Sequence, residues 1–326
     1  MTDRLIEVRG LTKHFVRRRG LVAALIGRKP PIVRALNGVD LSVRRGETLA
    51  IVGESGCGKS TLARCLVRLQ EPDAGEVLFE GTDALALAGS SRRDFNRRVQ
   101  MVFQDPYGSL NPRMTIGAQL AEPIRVHALR LEGDVAERVR QLLLMVGLPA
   151  DAAGRYPHAF SGGQRQRIGI ARALALEPQC LIADEIVSAL DVSVQAQIIN
   201  LLIALQLRLD LTIIFVSHDL RLVRYIAHRV AVMYLGRIVE AGPTEEVFTD
   251  PRHPYTAALM AAAPSLEVAE REVTEAVTGE LPSPLSIPPG CPFHPRCPRA
   301  VDRCRSVPPP DWRRGEHRAA CHLAGD

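Results

Sequence analysis

Residues 48–61 read TLAIVGESGCGKST, an apolar run that turns through three glycines into Lys-Ser-Thr and on into the helix-like TLARCLVRL at 61–69. The turn fits G-x-x-x-x-G-K-[ST]. Strand, glycine-rich turn and helix in immediate succession let the backbone N–H groups of Gly53, Ser55, Gly56, Cys57 and Gly58 point at phosphate oxygens, and the helix N-terminus adds positive potential. In such a loop Lys59 is expected to reach the β- and γ-phosphates, Ser60 to ligate Mg²⁺ and Thr61 to lie near the α-phosphate.

Working outward, strand-like LIEVRGL (5–11) and ALNGVDLSV (35–43) precede the loop. Beyond it, VAERVRQLLLMVGL (135–148) places Val135, Val139, Leu142, Leu143 and Val146 on one helical face. Helix IGIARALAL, strand CLIAD, helix VQAQIINLLIALQLRL, strand TIIFVSH, helix DLRLVRYIAH and strand RVAVMYL then alternate. That alternation predicts an α/β fold with a mostly parallel sheet and an inserted helical subdomain at about 92–160.

Two further segments carry chemistry. The apolar strand CLIADE (180–185) ends in two acids. Asp184 is expected beside the Mg²⁺ shell, and Glu185 is placed to take a proton from an attacking water. In FSGGQRQR (160–167), Ser161, Gly162, Gly163 and Gln164 open a helix and offer a second anion site. Two phosphate-binding helix starts with a single nucleotide-sized sheet edge suggest a head-to-tail pair, each chain closing over the other's nucleotide.

GESGCGKST, FQDP, FSGGQRQR, LIADE, SALD and VSHD, in this order, resemble the ATP-binding cassette family over roughly residues 5–240. The resemblance implies an ATPase in which Gln104 contacts the Mg²⁺ and γ-phosphate and links them to a transmembrane partner. It implies that Ser161 and Gly163 are presented in trans, that Asp191 lies at the dimer interface, that His218 is the switch histidine, and that Phe15 stacks on adenine. One departure stands out: many cassettes carry Pro-Thr after the catalytic acid, where this chain has Ile186-Val187.

FQDPYGSLNPRM, SALDVSVQAQIINLL, HPYTAALM and the tail GCPFHPRCPRAVDRC further resemble the dipeptide, oligopeptide and nickel importer ATPases, and the wording DEIVSALD leans towards the F-type subunit. This resemblance implies a peripheral ATPase on the cytoplasmic face of the cell membrane. Its partners would be a sister ATPase subunit in a heterodimer, two transmembrane permease subunits and an extracytoplasmic substrate-binding protein. The expected cargo is di- or oligopeptides. The alternatives are nickel or another small solute, or a soluble regulator with a redox- or iron-sensing tail.

The expected organisation is an ATPase domain at 1–264, a Pro/Glu/Ser-rich linker at 265–290 and a cysteine-rich module at 291–326. Cys291, Cys297, Cys304 and Cys321 crowd into that last segment. Clustered cysteines in a reducing compartment favour a metal over disulfides. Four thiolates suit zinc or an iron–sulfur cluster, and His294, His317 and His322 leave a mixed Cys/His zinc site open. The family resemblance favours [4Fe–4S]. Cys57, Cys65 and Cys180 read as ordinary small residues.

The composition fits this reading. The chain has 326 residues, 46% hydrophobic and 24% charged, with a net charge of +5. That is enough for a sizeable core and too mildly basic for a dedicated nucleic-acid binder. The N-terminus MTDRLIEVRG lacks the apolar run of a secretion signal, and the apolar runs fall short of the ~20 residues that span a bilayer. The basic segment 16–34 reads as a solvated loop or as a contact for anionic lipid or a permease loop.

Overall fold

A computed structural model describes residues 3–16, 30–105, 107–127, 134–262 and 282–325. Most of the basic segment 16–34 and of the expected linker 265–290 lies outside the described residues. The chain divides into two compact units: Met1–Leu5, Val43–Thr48 and Ala86–Val216 form one, and Ile6–Ser42, Leu49–Leu85 and Ser217–Asp326 the other.

In the first unit Val99–Val102 pairs in parallel with Cys180–Asp184, which pairs in parallel with Thr212–Ser217. Every residue of the last two strands is buried. Continuous apolar runs such as TIIFVS are what a parallel strand covered on both faces requires. Val99–Val102 is a strand inside the span expected to be helical. The rest of that span holds the helices Gly89–Arg98, Ile116–Val126 and Val135–Met145 and the short turns Ala150–Gly154 and Pro157–Ala159. Val139, Leu142, Leu143 and Val146 are buried, as the 3.6-residue spacing predicts.

Helix Val192–Leu209 is long and apolar enough to cross a membrane by length and composition, an exception to the expectation that no run approaches that span. Its buried residues are Ile198, Ile199, Leu202, Leu205 and Gln206, a single stripe at helical spacing, and Gln206 donates to the Gly46 carbonyl at 2.9 Å. One buried stripe is the pattern of a helix packed on a protein core.

The second unit departs further from a mostly parallel sheet. Arg4–Val16, Ile32–Arg44, Ala74–Phe79 and Thr82–Asp83 make a separate sheet in which Arg4–Val16 runs antiparallel to Ala74–Phe79. The strand Thr48–Val52, which leads into the glycine-rich loop, is parallel to Arg229–Tyr234. From there Arg237–Pro243, His317–Ala320 and Asp311–Arg314 add on antiparallel. The cysteine-rich tail therefore extends a sheet of this unit through its own hairpin.

A buried carboxylate seals that junction. Glu240 accepts from the backbone N–H of Arg252 (2.7 Å) and of His253 (2.9 Å) and lies 2.7 Å from His317 Nε2. Glu240 and His317 are both almost fully buried. Next to them His253 is also buried, and its Nδ1 accepts from the Tyr255 N–H at 3.1 Å.

Burial depresses the His253 pKa from 6.5 to about 4, with the Glu240 charge opposing in part. Between those values the unfolded chain binds a proton that the folded one refuses, so stability is present above pH 6.5 and lost as pH falls towards 4. The shift corresponds to roughly 3 kcal/mol. The expected outcome is a thermal midpoint that falls from pH 7 to pH 5, with a visibly flatter slope in His253→Gln. Equal slopes in the two proteins would reject the assignment.

Candidate functional site

The loop after Thr48–Val52 is shaped by backbone. Gly58 sits at φ +113 as the residue that opens helix Lys59–Leu66, and a Cβ there would fall 2.4 Å from the Ala35 carbonyl oxygen. Neither the conformation nor the space admits a side chain. Lys59 is buried, and its Nζ donates to the carbonyls of Gly53 (2.8 Å) and Glu54 (3.0 Å). An ammonium folded back onto its own loop is already desolvated and positioned for an anion. Ser60 and Thr61 are half-buried at the helix start, and Ser55 and Gly56 are exposed on the turn.

In the first unit Asp184 is buried at the end of its strand. Glu185 follows at φ +48, a left-handed conformation, with its N–H donating to the Val216 carbonyl at 3.0 Å. That conformation is uncommon for a non-glycine residue. The Gln104 amide donates to Glu185 Oε2 at 3.2 Å and to Ser188 Oγ at 3.3 Å, and Ser188 Oγ donates to the Glu185 carbonyl at 2.9 Å. Gln104 and Glu185 are thus brought together. The Ile186-Val187 pair is buried, and the Gln195 side chain donates to the Val187 carbonyl at 3.1 Å and the Leu190 carbonyl at 3.0 Å. The departure from Pro-Thr is absorbed as core, with the backbone after Glu185 held by Gln195 and Ser188.

Ser161 opens helix Gly162–Leu174 in a capping box. Its Oγ accepts from the Gln164 N–H at 3.3 Å, while Gln164 Oε1 accepts from the Ser161 N–H at 3.0 Å. Ser-x-x-Gln before an apolar run is the signature of that box. Gly163 is required by packing, because a Cβ there would lie 2.4 Å from Val194 Cγ1. Asp191 opens helix Val192–Leu209 and, like Ser161 and Gln164, is exposed.

His218 belongs to the second unit, exposed just after Thr212–Ser217. Phe15 is half-buried near the end of Arg4–Val16, with Lys13 Nζ 5.7 Å from its ring centroid. It is not a core phenylalanine.

In the tail Cys291 and Cys304 are buried, and Cys297 and Cys321 half-buried. The Cys291 N–H donates to the Cys304 carbonyl at 2.8 Å. Burial pushes the Cys291 thiol up to about 11, and Cys304, Cys321 and Cys297 add to the rise, so all four lie within electrostatic reach of one another. Among the described residues no three His, Cys, Asp or Glu side chains converge closely enough to hold a single metal ion.

The three tail histidines are engaged elsewhere: His294 Nδ1 with the Cys291 carbonyl (2.9 Å), His317 with Glu240, and His322 Nε2 with the Val307 carbonyl (3.0 Å). Each contact occupies one ring nitrogen and leaves the other, and among the described residues these rings do not converge with the cysteines on a single metal position. Cys65 and Cys180 have thiols raised by burial to about 11 and about 12, and burial raises Cys57 too, as inert core thiols should be.

Two contacts escaped the sequence reading: the Glu240–His317 pair, and a bidentate ion pair between Glu54 of the loop and Arg296 of the tail at 2.9 Å on both arms. Neither leaves a local pattern.

A phosphate loop, a strand ending in Asp-Glu, a glutamine held against the second acid and a capped Ser-Gly-Gly helix define an ATP-binding cassette. Residues 36–188 match the ABC transporter family model, and residues 239–304 match the oligopeptide/dipeptide transporter C-terminal region. The chain is 53% identical over 324 residues to a probable peptide ABC transporter ATP-binding protein of Sinorhizobium fredii, covering 99% of this chain and 91% of that one. It is 47% identical to the di/tripeptide transport ATP-binding protein DppF of Pseudomonas aeruginosa, covering 99% and 98%.

Two solved structures are similar, each at a TM-score of 0.63 and 28% identity. One is cbiO1 of Clostridium perfringens, part of an ABC transporter complex, covering 76% of this chain and 92% of that one. The other is a dimeric cassette in a post-hydrolysis state with ADP and Pi, covering 73% and 98%. The chain belongs to the family of ATP-binding proteins of peptide ABC transporters.

Gly58→Ala is expected to abolish binding of a fluorescent ATP analogue while the far-ultraviolet spectrum is retained. Binding within twofold of wild type would show that the loop tolerates a side chain at residue 58.

Proposed function

We propose that this chain is the ATP-hydrolysing subunit of an importer for di- or oligopeptides. The observation that carries this is the identity of 47–53%, over 99% of the chain, to proteins whose names assign them to peptide transport. In this reading Lys59 and the backbone from Gly53 to Gly58 hold the triphosphate, with Ser60, Thr61, Gln104 and Asp184 serving the phosphates and Mg²⁺. Phe15 carries the adenine. Glu185 takes the proton of the attacking water, a role supported by the Gln104 amide that fixes its carboxylate. His218 serves as the switch residue.

Ser161, Gly162, Gly163, Gln164 and Asp191 face a second cassette, a reading supported by their position at or next to helix starts and by the exposure of Ser161, Gln164 and Asp191. That cassette is a sister subunit in a heterodimer. Two permease subunits anchor the pair at the cytoplasmic face of the membrane, and an extracytoplasmic binding protein delivers the peptide. ATP closes the dimer and hydrolysis releases it, driven by the difference in ATP affinity between open and closed states.

The test is the reconstituted complex with a peptide-loaded binding protein. Peptide is expected to stimulate ATP hydrolysis, and Glu185→Gln to lower turnover by roughly 10²–10⁴-fold with ATP binding retained. Stimulation by a metal ion or sugar instead of peptide would overturn the cargo. A variant hydrolysing at the wild-type rate would remove Glu185 as the base.

We further infer that Cys291, Cys297, Cys304 and Cys321 hold a [4Fe–4S] cluster with a structural role. What supports this is the chemistry of four thiols gathered in one short segment, each within electrostatic reach of the others. Protein purified without oxygen is expected to be brown, with about four irons per chain. A colourless protein with one zinc would overturn it.

A further inference from the structure

Residue 54 is held on every side. Its N–H donates to Tyr255 Oη at 2.9 Å, and its carbonyl accepts from Lys59 Nζ at 3.0 Å and from the Cys57 N–H at 3.3 Å. Its carboxylate takes both arms of the Arg296 guanidinium at 2.9 Å, across 242 positions of sequence. The Arg296 side chain is only 9% exposed, and its guanidinium lies over the Tyr234 ring at 6.0 Å from the centroid. Hydrogen bonding to Glu54 holds the Arg296 pKa well above its usual range.

The tail does not need this ion pair in order to dock. Phe293 is 1% exposed, edge-on to Tyr234 at 5.3 Å and tilted against Tyr255 and His253 at 5.5 Å each. Burying such a ring anchors the tail by apolar area alone, while the hairpin pairing and His317–Glu240 add independent attachments. The ion pair, with Arg296 9% and Glu54 29% exposed, is one attachment among several. What the pair adds is geometry, because a planar fork on a carboxylate fixes orientation as well as distance.

The carboxylate it fixes belongs to a loop of small residues whose lysine must leave the Gly53 and Glu54 carbonyls to meet a phosphate. Once Lys59 lets go, Tyr255 and Arg296 still hold residue 54. A loop held in its bound shape pays less conformational entropy when the ligand arrives.

We propose that Arg296, through Glu54, is a positioning residue for the phosphate loop, so that the cysteine-rich tail tunes ATP affinity. The clamp rests on the reading of this loop as the ATP site and is independent of what the cysteines hold.

Full-length Arg296→Met, Glu54→Gln, the double variant and Arg296→Lys are titrated with a fluorescent ATP analogue, with KM and kcat measured alongside. Each single variant is expected to weaken binding and raise KM on the order of tenfold, about 1.4 kcal/mol, with kcat within about threefold. Lysine keeps the charge without the fork and falls between wild type and Arg296→Met. The double variant is expected to be no worse than either single one.

Two results would overturn the clamp: ATP affinity within twofold of wild type in Glu54→Gln or in a folded Arg296→Met, or strictly additive losses in the double variant. Should Arg296→Met not fold, Glu54→Gln and Arg296→Lys carry the test, because both keep the side-chain shape or charge. Failure of the wild-type chain itself to bind the analogue would overturn the ATP reading of the loop, a result distinct from the failure of the clamp.

Discussion

A carboxylate buried to 1% exposure must be answered by donors, or it costs several kcal/mol. Glu240 is answered by two backbone N–H groups from the turn at Arg252 and His253 and by a histidine brought from residue 317. One side chain thus obliges three distant pieces of the second unit to meet: the strand Arg237–Pro243, the turn before helix Pro254–Ala262, and the tail hairpin. Trp312 closes over the same place, edge-on to His317 at 5.6 Å and under the Arg252 guanidinium at 5.1 Å. The tail could not be removed without leaving that carboxylate short of a partner.

From this junction the placement of the loop follows. The turn that Glu240 fixes carries His253 and Tyr255, and the Tyr255 hydroxyl receives the Glu54 N–H. The tail that His317 fixes carries Phe293 and Arg296, which fill the aromatic cluster and take the Glu54 carboxylate. Catalytic loops rich in glycine have little side-chain packing to define them. Here the definition is imported from an aromatic cluster and a salt bridge built by residues about 180 to 240 positions away.

That distance explains what the sequence makes legible. Lys59, Asp184 and Glu185 are readable because each sits at a strand end or helix start whose local pattern leaves no other place for it. The buried parallel strands CLIAD and TIIFVS are readable because they are unbroken apolar runs. The antiparallel sheet is harder: Ala74–Phe79 and Thr82–Asp83 are short, and nothing in their sequence distinguishes their partner. The hairpin strands DWRR and HRAA look like solvated charge; they are strands only because Arg237–Pro243 offers an edge and Glu240 a partner for His317. Gly163 carries a steric reason for its smallness that no local pattern shows, since a Cβ there would lie 2.4 Å from Val194 Cγ1.

Exposure sorts the remaining motif residues. Ser161, Gln164 and Asp191 lie at the surface, yet Ser161 and Gln164 are rigidly held, each satisfying the other's backbone donor. A capping box satisfies two otherwise unpaired backbone donors and fixes a helix end in water. Fixing polar groups at the surface lowers the entropy cost of a later encounter. The carboxylate of Glu54 held by Arg296 and that of Glu185 held by Gln104 follow the same pattern, in which one neighbouring contact sets the geometry of a polar group.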